Sequence, residues 1–139
     1  MAALHFEFVS PESVLFSGEV DQVDLPGAEG DMGILAGHAP LVTTLRPGIV
    51  TIFRGSAREP VVVTGGFAEV GPGGLTVLAD RAVARADFDL ATLAAEIKDA
   101  EEDVADATDP ALRDKHARHL EQLKALQAAL GTAAPAAGH

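Results

Sequence analysis

Residues 27–41, GAEGDMGILAGHAPL, carry the side chains whose types and spacing are best suited to chemistry. Two carboxylates, Glu29 and Asp31, lie among closely spaced glycines, and His38 follows shortly before a proline. Glycines at this density cradle a phosphate, shape a turn, or allow another chain to come close. A small hydrolase that uses His38 together with Asp31 is a further candidate, because histidine and a carboxylate can act together in catalysis.

The glycine spacing argues against a phosphate site. It is G-x-x-G-x-x-G rather than G-x-G-x-x-G, no helical pattern follows it, and the chain has no G-K-[ST] sequence. A hydrolase would need a nucleophile and an orienting acid within reach of His38, and nothing in the sequence nominates them. The favoured interpretation is a bare, protruding loop against which another chain can sit.

Metal and nucleic-acid sites are also not expected. His116 and His119 are spaced i, i+3 without an HExxH motif or an obvious third ligand, and the acidic run 96–103 lacks the loop geometry of calcium sites. The absence of cysteine excludes disulfides, thiolate catalysis and cysteine-based zinc sites. The net charge of −11 repels phosphate backbones. We therefore predict no catalytic residue, no metal and no cofactor.

Residues 1–86 have the sequence pattern of an all-β domain. Short runs rich in β-branched residues, such as IVTIF at 49–53 and PVVVT at 60–64, alternate with glycine and proline turns. No stretch before residue 86 has room for a crossover helix, so the sheets must be mostly antiparallel. The pattern predicts a β-sandwich or barrel.

Residues 87–130 predict an antiparallel hairpin of two amphipathic helices, followed by a flexible tail at 131–139. Asp87 or Asp89 is suited to cap the first helix, and Pro110 to begin the second. Residues 87–106 hold eight acidic residues and one basic residue, whereas residues 109–130 hold three acidic and four basic residues. The predicted apolar stripes are Leu90, Leu93, Ile97, Ala100, Val104 and Ala107 in the first helix, and Leu112, His116, Leu120, Leu123, Gln127 and Leu130, widened by Leu126, in the second.

Two segments resemble a known family. Residues 16–48 contain the turn glycines, Gly-Ile-Leu, His-Ala-Pro-Leu and Pro-Gly turn of the epsilon-subunit family of bacterial F-type (rotary) ATP synthases, called delta in mitochondria. GGFAEV at 65–70, followed by LTVLADRA at 75–82, is a second signature of that family. The residues of the first segment that match the family pattern are Gly30, Gly33, Ile34, Leu35, His38, Ala39, Pro40, Leu41, Pro47 and Gly48.

The resemblance implies a ten-stranded β-sandwich followed by a two-helix hairpin. It also implies a non-catalytic rotor subunit of the central stalk, which binds the gamma subunit on one side, rests on the polar loops of the c-ring and contributes to coupling proton transport to ATP synthesis. In the family an acidic loop residue, here Asp31 within Glu29-Gly30-Asp31, meets the c-ring. The resemblance also implies that three further matching residues contact gamma or form the framework of the loop: His38, Pro40 and Leu41.

The resemblance makes the hairpin a regulatory element. In some members it leaves the sandwich, inserts beside gamma and blocks ATP hydrolysis, its basic residues facing the alpha and beta catalytic subunits. Members that sense ATP carry Ile/Leu-Asp-x-x-Arg-Ala at the start of the first helix, and this chain keeps only Asp89, so tight ATP binding is not expected. The basic residues in question are Arg113, Lys115, Arg118 and Lys124.

The implied location is the cytoplasmic face of the bacterial plasma membrane, with the chain held there peripherally by the complex. This agrees with an amino-terminal sequence, MAALHFEF, that lacks the features of a signal peptide. The alternative is a β-sandwich that binds proteins, with the hairpin as a clamp, unrelated to a motor.

Overall fold

The computed structural model describes residues 3–137, with side chains described up to residue 130. It divides into two compact units, Met1–Asp87 and Phe88–His139. Among the described residues, no helix combines the length and apolar character needed to cross a bilayer.

The first unit is one curled sheet, and the part of the chain that the structure describes contains ten strands. Their order in the sheet is β10-β7-β6-β3-β5-β8-β9-β1-β2, with β4 paired to β3. The strands are β1 (Leu4–Val9), β2 (Val14–Val20), β3 (Gln22–Gly27), β4 (Gly30–Leu35), β5 (Leu41–Leu45), β6 (Gly48–Arg54), β7 (Ala57–Val63), β8 (Gly66–Gly71), β9 (Gly74–Ala79) and β10 (Ala82–Ala84), followed by a 3₁₀ turn at Arg85–Asp87.

Alternation along the strands produces the core. In β1, Leu4, Phe6 and Phe8 are buried, while His5 is exposed on the other face, as the period of two residues requires. The Phe6 and Phe8 ring centroids lie 5.5 Å apart, and Phe16 of β2 lies 5.7 Å from Phe6. The sheet curls around these rings and a surrounding shell of valine, leucine and isoleucine.

The predicted antiparallel sandwich is confirmed, with one parallel pair. Strands β1 and β9 run parallel, with Phe6 opposite Leu75 and Val9 opposite Leu78, whereas every other strand pair in the described residues is antiparallel. The parallel pair joins distant parts of the chain without a helix, because the intervening strands themselves form the connection.

The segment expected to be a protruding loop is mostly strand. Gly30–Leu35 forms β4, which pairs with β3 through six residue pairs from Gln22↔Leu35 to Gly27↔Gly30. Only Ala28 and Glu29 form the turn. The expectation was wrong because glycine weakens a strand pattern in sequence, while here cross-strand hydrogen bonding to β3 supplies the order.

The second unit consists of α1 (Leu90–Asp106) and α2 (Pro110–Ala137), which pack against each other as predicted. Leu93, Ile97 and Ala100 of α1 are buried, and so are Leu123, Leu126 and Leu130 of α2. The ends of the predicted stripes are wrong: Leu90 and Leu112 are 50% and 44% exposed, and Gln127 is exposed because Leu126 takes its place. The tail predicted at 131–139 overlaps the end of α2, and residues 138 and 139 lie outside the described residues.

Both helices begin at predicted residues. The Asp89 carboxylate caps α1 by accepting hydrogen bonds from the backbone N–H groups of Ala91 and Thr92, and from Thr92 Oγ1 at 2.7 Å. The Thr92 hydroxyl and then the two backbone donors lower the pKa of the Asp89 carboxyl. Pro110 begins α2, and Asp109 Oδ1 accepts from the Ala111 N–H at 3.1 Å.

Removing residues 88–139 is expected to leave a folded sandwich, because the buried cluster of the first unit draws all its side chains from residues 4–79. The truncated chain should show a single cooperative thermal transition by circular dichroism. Adding Phe8→Ala to it should cost about 3–5 kcal/mol, the usual cost of emptying such a site. A truncated chain without a cooperative transition would contradict the prediction.

The stability of the first turn of α1 should depend on pH through Asp89. A lowered carboxyl pKa stabilises the folded state above the unfolded pKa, and this contribution is lost as the pH falls through the folded pKa. Amide exchange at Ala91 and Thr92, corrected for intrinsic rates, should therefore lose protection in acid. Asp89→Asn keeps the capping oxygen without the charge and should remove this pH dependence, and a variant that keeps it would assign the effect to another group.

Candidate functional site

The turn between β3 and β4 is closed by two glycines with different tasks. Gly30 has φ of +144°, a conformation that side-chain-bearing residues rarely adopt. A Cβ on Gly27 would lie 2.8 Å from the Gly30 carbonyl oxygen. The tight pairing of Gly27 with Gly30 therefore leaves Ala28 and Glu29 exposed at the tip of a two-residue turn.

Arg46, just beyond β5, holds this turn from the side. Its Nε donates to the Gly27 carbonyl oxygen at 2.6 Å, and its Nη2 donates to Asp31 Oδ1 at 2.5 Å. Its backbone N–H donates to the Pro26 carbonyl oxygen at 2.9 Å, and the Ala28 N–H donates to the Thr44 carbonyl oxygen at the same distance. The turn is thus tied on both sides to the end of β5.

The turn presents negative charge to solvent. The Asp31 side chain is 87% exposed although one of its oxygens is paired with Arg46, and Glu29 is exposed one residue before Gly30. Two carboxylates on a turn that is hydrogen-bonded to β5 can accept hydrogen bonds from lysine or arginine side chains of another molecule. The geometry therefore suits recognition of a basic surface.

Sequence reasoning missed Arg46. It lies 15 residues after Asp31, and the two meet because the β3–β5 pairing sets Gly27 opposite Leu45. A basic residue directly before the Pro47-Gly48 turn was the available signal, but it acquires meaning only once β3 and β5 are known to be neighbours.

His38, Pro40 and Leu41 lie at the other end of β4. The His38 N–H donates to the Leu35 carbonyl oxygen at 3.1 Å, and Nδ1 donates to the Ala39 carbonyl oxygen at 2.8 Å. Leu41 begins β5 and packs against the core. From Asp31 to Leu35 alone β4 extends about 13 Å, so the structure does not bring His38 and Asp31 together as a hydrolase would require.

A cavity of about 290 Å³ lies beside His38. Its walls include His5, Glu19 and the glycine-rich β8–β9 turn. Within the part of the chain that the structure describes, no group of three or more potential ligands is arranged for a metal ion.

The outer face of the sheet carries an apolar strip, which we define as Val9, Val14, Phe67 and Leu78. Phe67 lies opposite Leu78, Leu78 beside Val9, and Val9 opposite Val14. Val14 is 64% exposed, and Phe67 and Leu78 are each 39% exposed. Adjacent exposed apolar side chains on several strands are typical of a protein-binding surface.

Polar groups adjoin the apolar strip on β1 and β2. Ser17 Oγ donates to Glu7 Oε2 at 2.5 Å, and His5 Nε2 lies 2.7 Å from the same oxygen. The Ser17 hydrogen bond, and after it the His5 interaction, lower the pKa of the Glu7 carboxyl. Glu7 therefore remains ionised beside the apolar strip at neutral pH.

In the second unit, two of the four predicted basic residues have partners. Arg113 Nη2 donates to the Ala107 carbonyl oxygen at 2.7 Å, and Lys124 Nζ lies 3.7 Å from Glu101 Oε2. Lys115 and Arg118 are exposed and form no ion pair within the described residues. Among the four predicted basic residues, these two are the ones whose side chains form neither a hydrogen bond nor an ion pair in the described part of the chain.

Asp89, the one residue that matches the ATP-sensing motif, is occupied in the cap of α1. Both of its carboxylate oxygens accept hydrogen bonds from the first turn of the helix. This local role explains the presence of an aspartate at the position without a nucleotide.

Comparisons with known proteins agree with this architecture. Residues 3–85 match the family model for the ATP synthase delta/epsilon chain β-sandwich domain. The chain is 52% identical over 134 residues to an ATP synthase epsilon chain of Rhodopseudomonas palustris strain BisB5, covering 96% of this chain and 98% of that one. It is 53% identical over 125 residues to that of Parvibaculum lavamentivorans, covering 89% and 95% of the two chains.

A solved structure extends the comparison to three dimensions. A chain in the Euglena gracilis mitochondrial ATP synthase structure, which contains OSCP, F1 and the c-ring, superposes with a TM-score of 0.79 at 28% identity, covering 94% of this chain and 82% of that one. A chain of the Tetrahymena thermophila central stalk and c-ring shares the fold, with a TM-score of 0.53 at 14% identity over 66% of this chain and 85% of that one. The chain belongs to the ATP synthase delta/epsilon family.

Proposed function

We propose that the chain is a non-catalytic subunit of the central stalk of an F-type ATP synthase, where it links the gamma subunit to the c-ring and helps to couple proton transport to ATP synthesis. The observation that carries this proposal is the turn held by Arg46, which presents the Asp31 and Glu29 carboxylates at one end of a packed sandwich. The protein acts by contact, at the cytoplasmic face of the bacterial plasma membrane, as a peripheral part of the complex.

The turn is suited to the c-ring because its backbone is already ordered. Gly27 and Gly30 fix its shape, and Arg46 and Thr44 tie it to β5. Binding a rigid surface costs less conformational entropy than binding a loop that must become ordered. Carboxylates on such a turn fix the register and orientation of a basic partner more than they add raw affinity.

The apolar strip is the surface that we assign to gamma. It lies on a face of the sheet, formed by β8, β9, β1 and β2, whereas the carboxylate turn lies at the end of β3 and β4. Exposed aromatic and aliphatic side chains on a sheet suit a helical partner with apolar side chains of its own. Two distinct surfaces are what a linking subunit requires.

The hairpin is proposed to restrain ATP hydrolysis by contacting the alpha and beta subunits. Lys115 and Arg118, spaced i, i+3, lie on neighbouring positions of one helix face, and they are unpaired within the described residues. Acidic segments of the catalytic subunits are the complementary partners. Arg113 and Lys124 have internal contacts, so their contribution to this surface is smaller.

Asp31→Lys is expected to weaken coupling. The substitution places a cation beside Arg46 and reverses the charge offered to the ring, which should weaken ring binding about fivefold. Proton-driven ATP synthesis should fall in reconstituted vesicles, while ATP hydrolysis by the F1 part alone is unchanged. Asp99→Lys, an exposed site on α1 with the same change in net charge, is the matched control, and unchanged synthesis with Asp31→Lys would count against the ring contact.

Replacing Lys115 and Arg118 together by glutamate is expected to raise ATP hydrolysis by the assembled enzyme about two- to tenfold. Two exposed ion pairs, each worth at most about 1 kcal/mol, would be lost from the inhibited state. Arg81→Glu, which reverses an exposed cation of the first unit, is the control. If deletion of residues 88–139 raises hydrolysis but the double variant does not, the inhibitory contact lies elsewhere on the hairpin.

A further inference from the structure

We infer that Arg46 is a positioning residue for the ring contact: it orients the Asp31 carboxylate and locks the β3–β4 turn, so that one carboxylate oxygen is held and the other is presented to the partner. The inference rests on the proposed ring contact and names a residue that acts through Asp31. It is supported by three hydrogen bonds that Arg46 donates to the β3–β4 turn and the strand ends beside it.

The three contacts divide between backbone and side chain. The Arg46 N–H and Nε donate to the carbonyl oxygens of Pro26 and Gly27, at 2.9 and 2.6 Å, which fixes the end of β3. The Nη2 group donates to Oδ1 of Asp31, the second residue of β4. A single guanidinium thus spans the turn from one strand to the other, because its donors form a rigid fork.

Asp31 keeps capacity for a second cation. Its Oδ1 is occupied by Arg46, no hydrogen bond among the described residues is formed by Oδ2, and the side chain is 87% exposed. A carboxylate accepts several hydrogen bonds, so Asp31 can bridge Arg46 and a basic side chain of the ring. Arg46 occupies only one oxygen of the Asp31 carboxylate and reduces its rotational freedom before the partner binds.

The Arg46–Asp31 contact orients the Asp31 carboxylate and contributes little to the stability of the fold. An exposed ion pair adds little to the free energy of folding, and both partners here are substantially exposed. An immobilised side chain is, however, already in place when the partner arrives, so less freedom is lost on binding. Lysine at position 46 would retain the charge but not the second, Nε-type donor that reaches Gly27.

Binding of full-length variants to enzyme depleted of this chain tests the inference. Dissociation constants are measured for two acceptors, the F1 part that contains gamma and the whole enzyme that also contains the c-ring, and their ratio isolates the ring contact. Arg46→Ala should reduce the advantage of the whole enzyme about fivefold, with Arg46→Lys between it and the unsubstituted chain. Arg54→Ala, which removes an exposed arginine paired with Glu59 away from the turn, should leave the ratio unchanged.

The double variant separates positioning from a purely structural role. If Arg46 acts through Asp31, adding Arg46→Ala to Asp31→Ala should cause little further loss, because the carboxylate to be oriented is gone. Equal losses from Arg46→Ala in both backgrounds would overturn the inference.

Amide exchange in the isolated full-length chain distinguishes failure of the inference from failure of the proposed function. Arg46→Ala should accelerate exchange of the Ala28 N–H, which donates to Thr44, about fivefold relative to Arg54→Ala. Unchanged exchange overturns the locking role of Arg46 irrespective of the ring. Faster exchange, combined with an Asp31→Ala chain that binds both acceptors normally, would instead refute the ring contact on which the positioning of Asp31 depends.

Discussion

The inward apolar face of the curled sheet is the constraint on which the other features depend. Phe6, Phe8 and their neighbours are fully buried, and a one-residue slip of β1 would exchange that face for the one that carries His5 and Glu7. The register from β1 through β9 and β8 to β5 is therefore fixed by packing. Since the last residue of β5 pairs with Gly27, the same register determines where Arg46 meets the β3–β4 turn.

This dependence explains why a small, exposed turn has a defined conformation. Exposed ion pairs add little to stability, and Arg46 with Asp31 would not hold a free loop. Here the guanidinium spans groups that the strands have already brought together, so its contacts refine an arrangement produced by burial. The two surfaces proposed for binding both depend on the core, because the inward alternation of β1 and β9 also places Val9 and Leu78 on the outer face.

Much of the fold could be predicted from the sequence, because local residue patterns specify most of its strands and helices. Alternation identified β1, turn residues delimited the strands, and Asp89 and Pro110 marked the helix starts. Strand β4 was missed because its glycines carry no apolar alternation and its order comes from pairing with β3. Arg46 was missed for a related reason: its role depends on a contact across 15 residues, which no local pattern contains.

The basic residues of the hairpin also divide by their contacts: some pair within the hairpin and others are exposed to solvent. Arg113 donates a hydrogen bond to the carbonyl oxygen of Ala107, the residue that caps the end of α1. Lys124 forms an ion pair with Glu101 of the acidic helix α1. Both cations therefore help to hold α2 against α1. Lys115 and Arg118 take no part in such contacts within the described residues. Helix α2 thus uses some of its cations to pack against an acidic neighbour and presents others to solvent. The proposed regulatory role requires both kinds of contact, because such a switch needs two states of similar free energy.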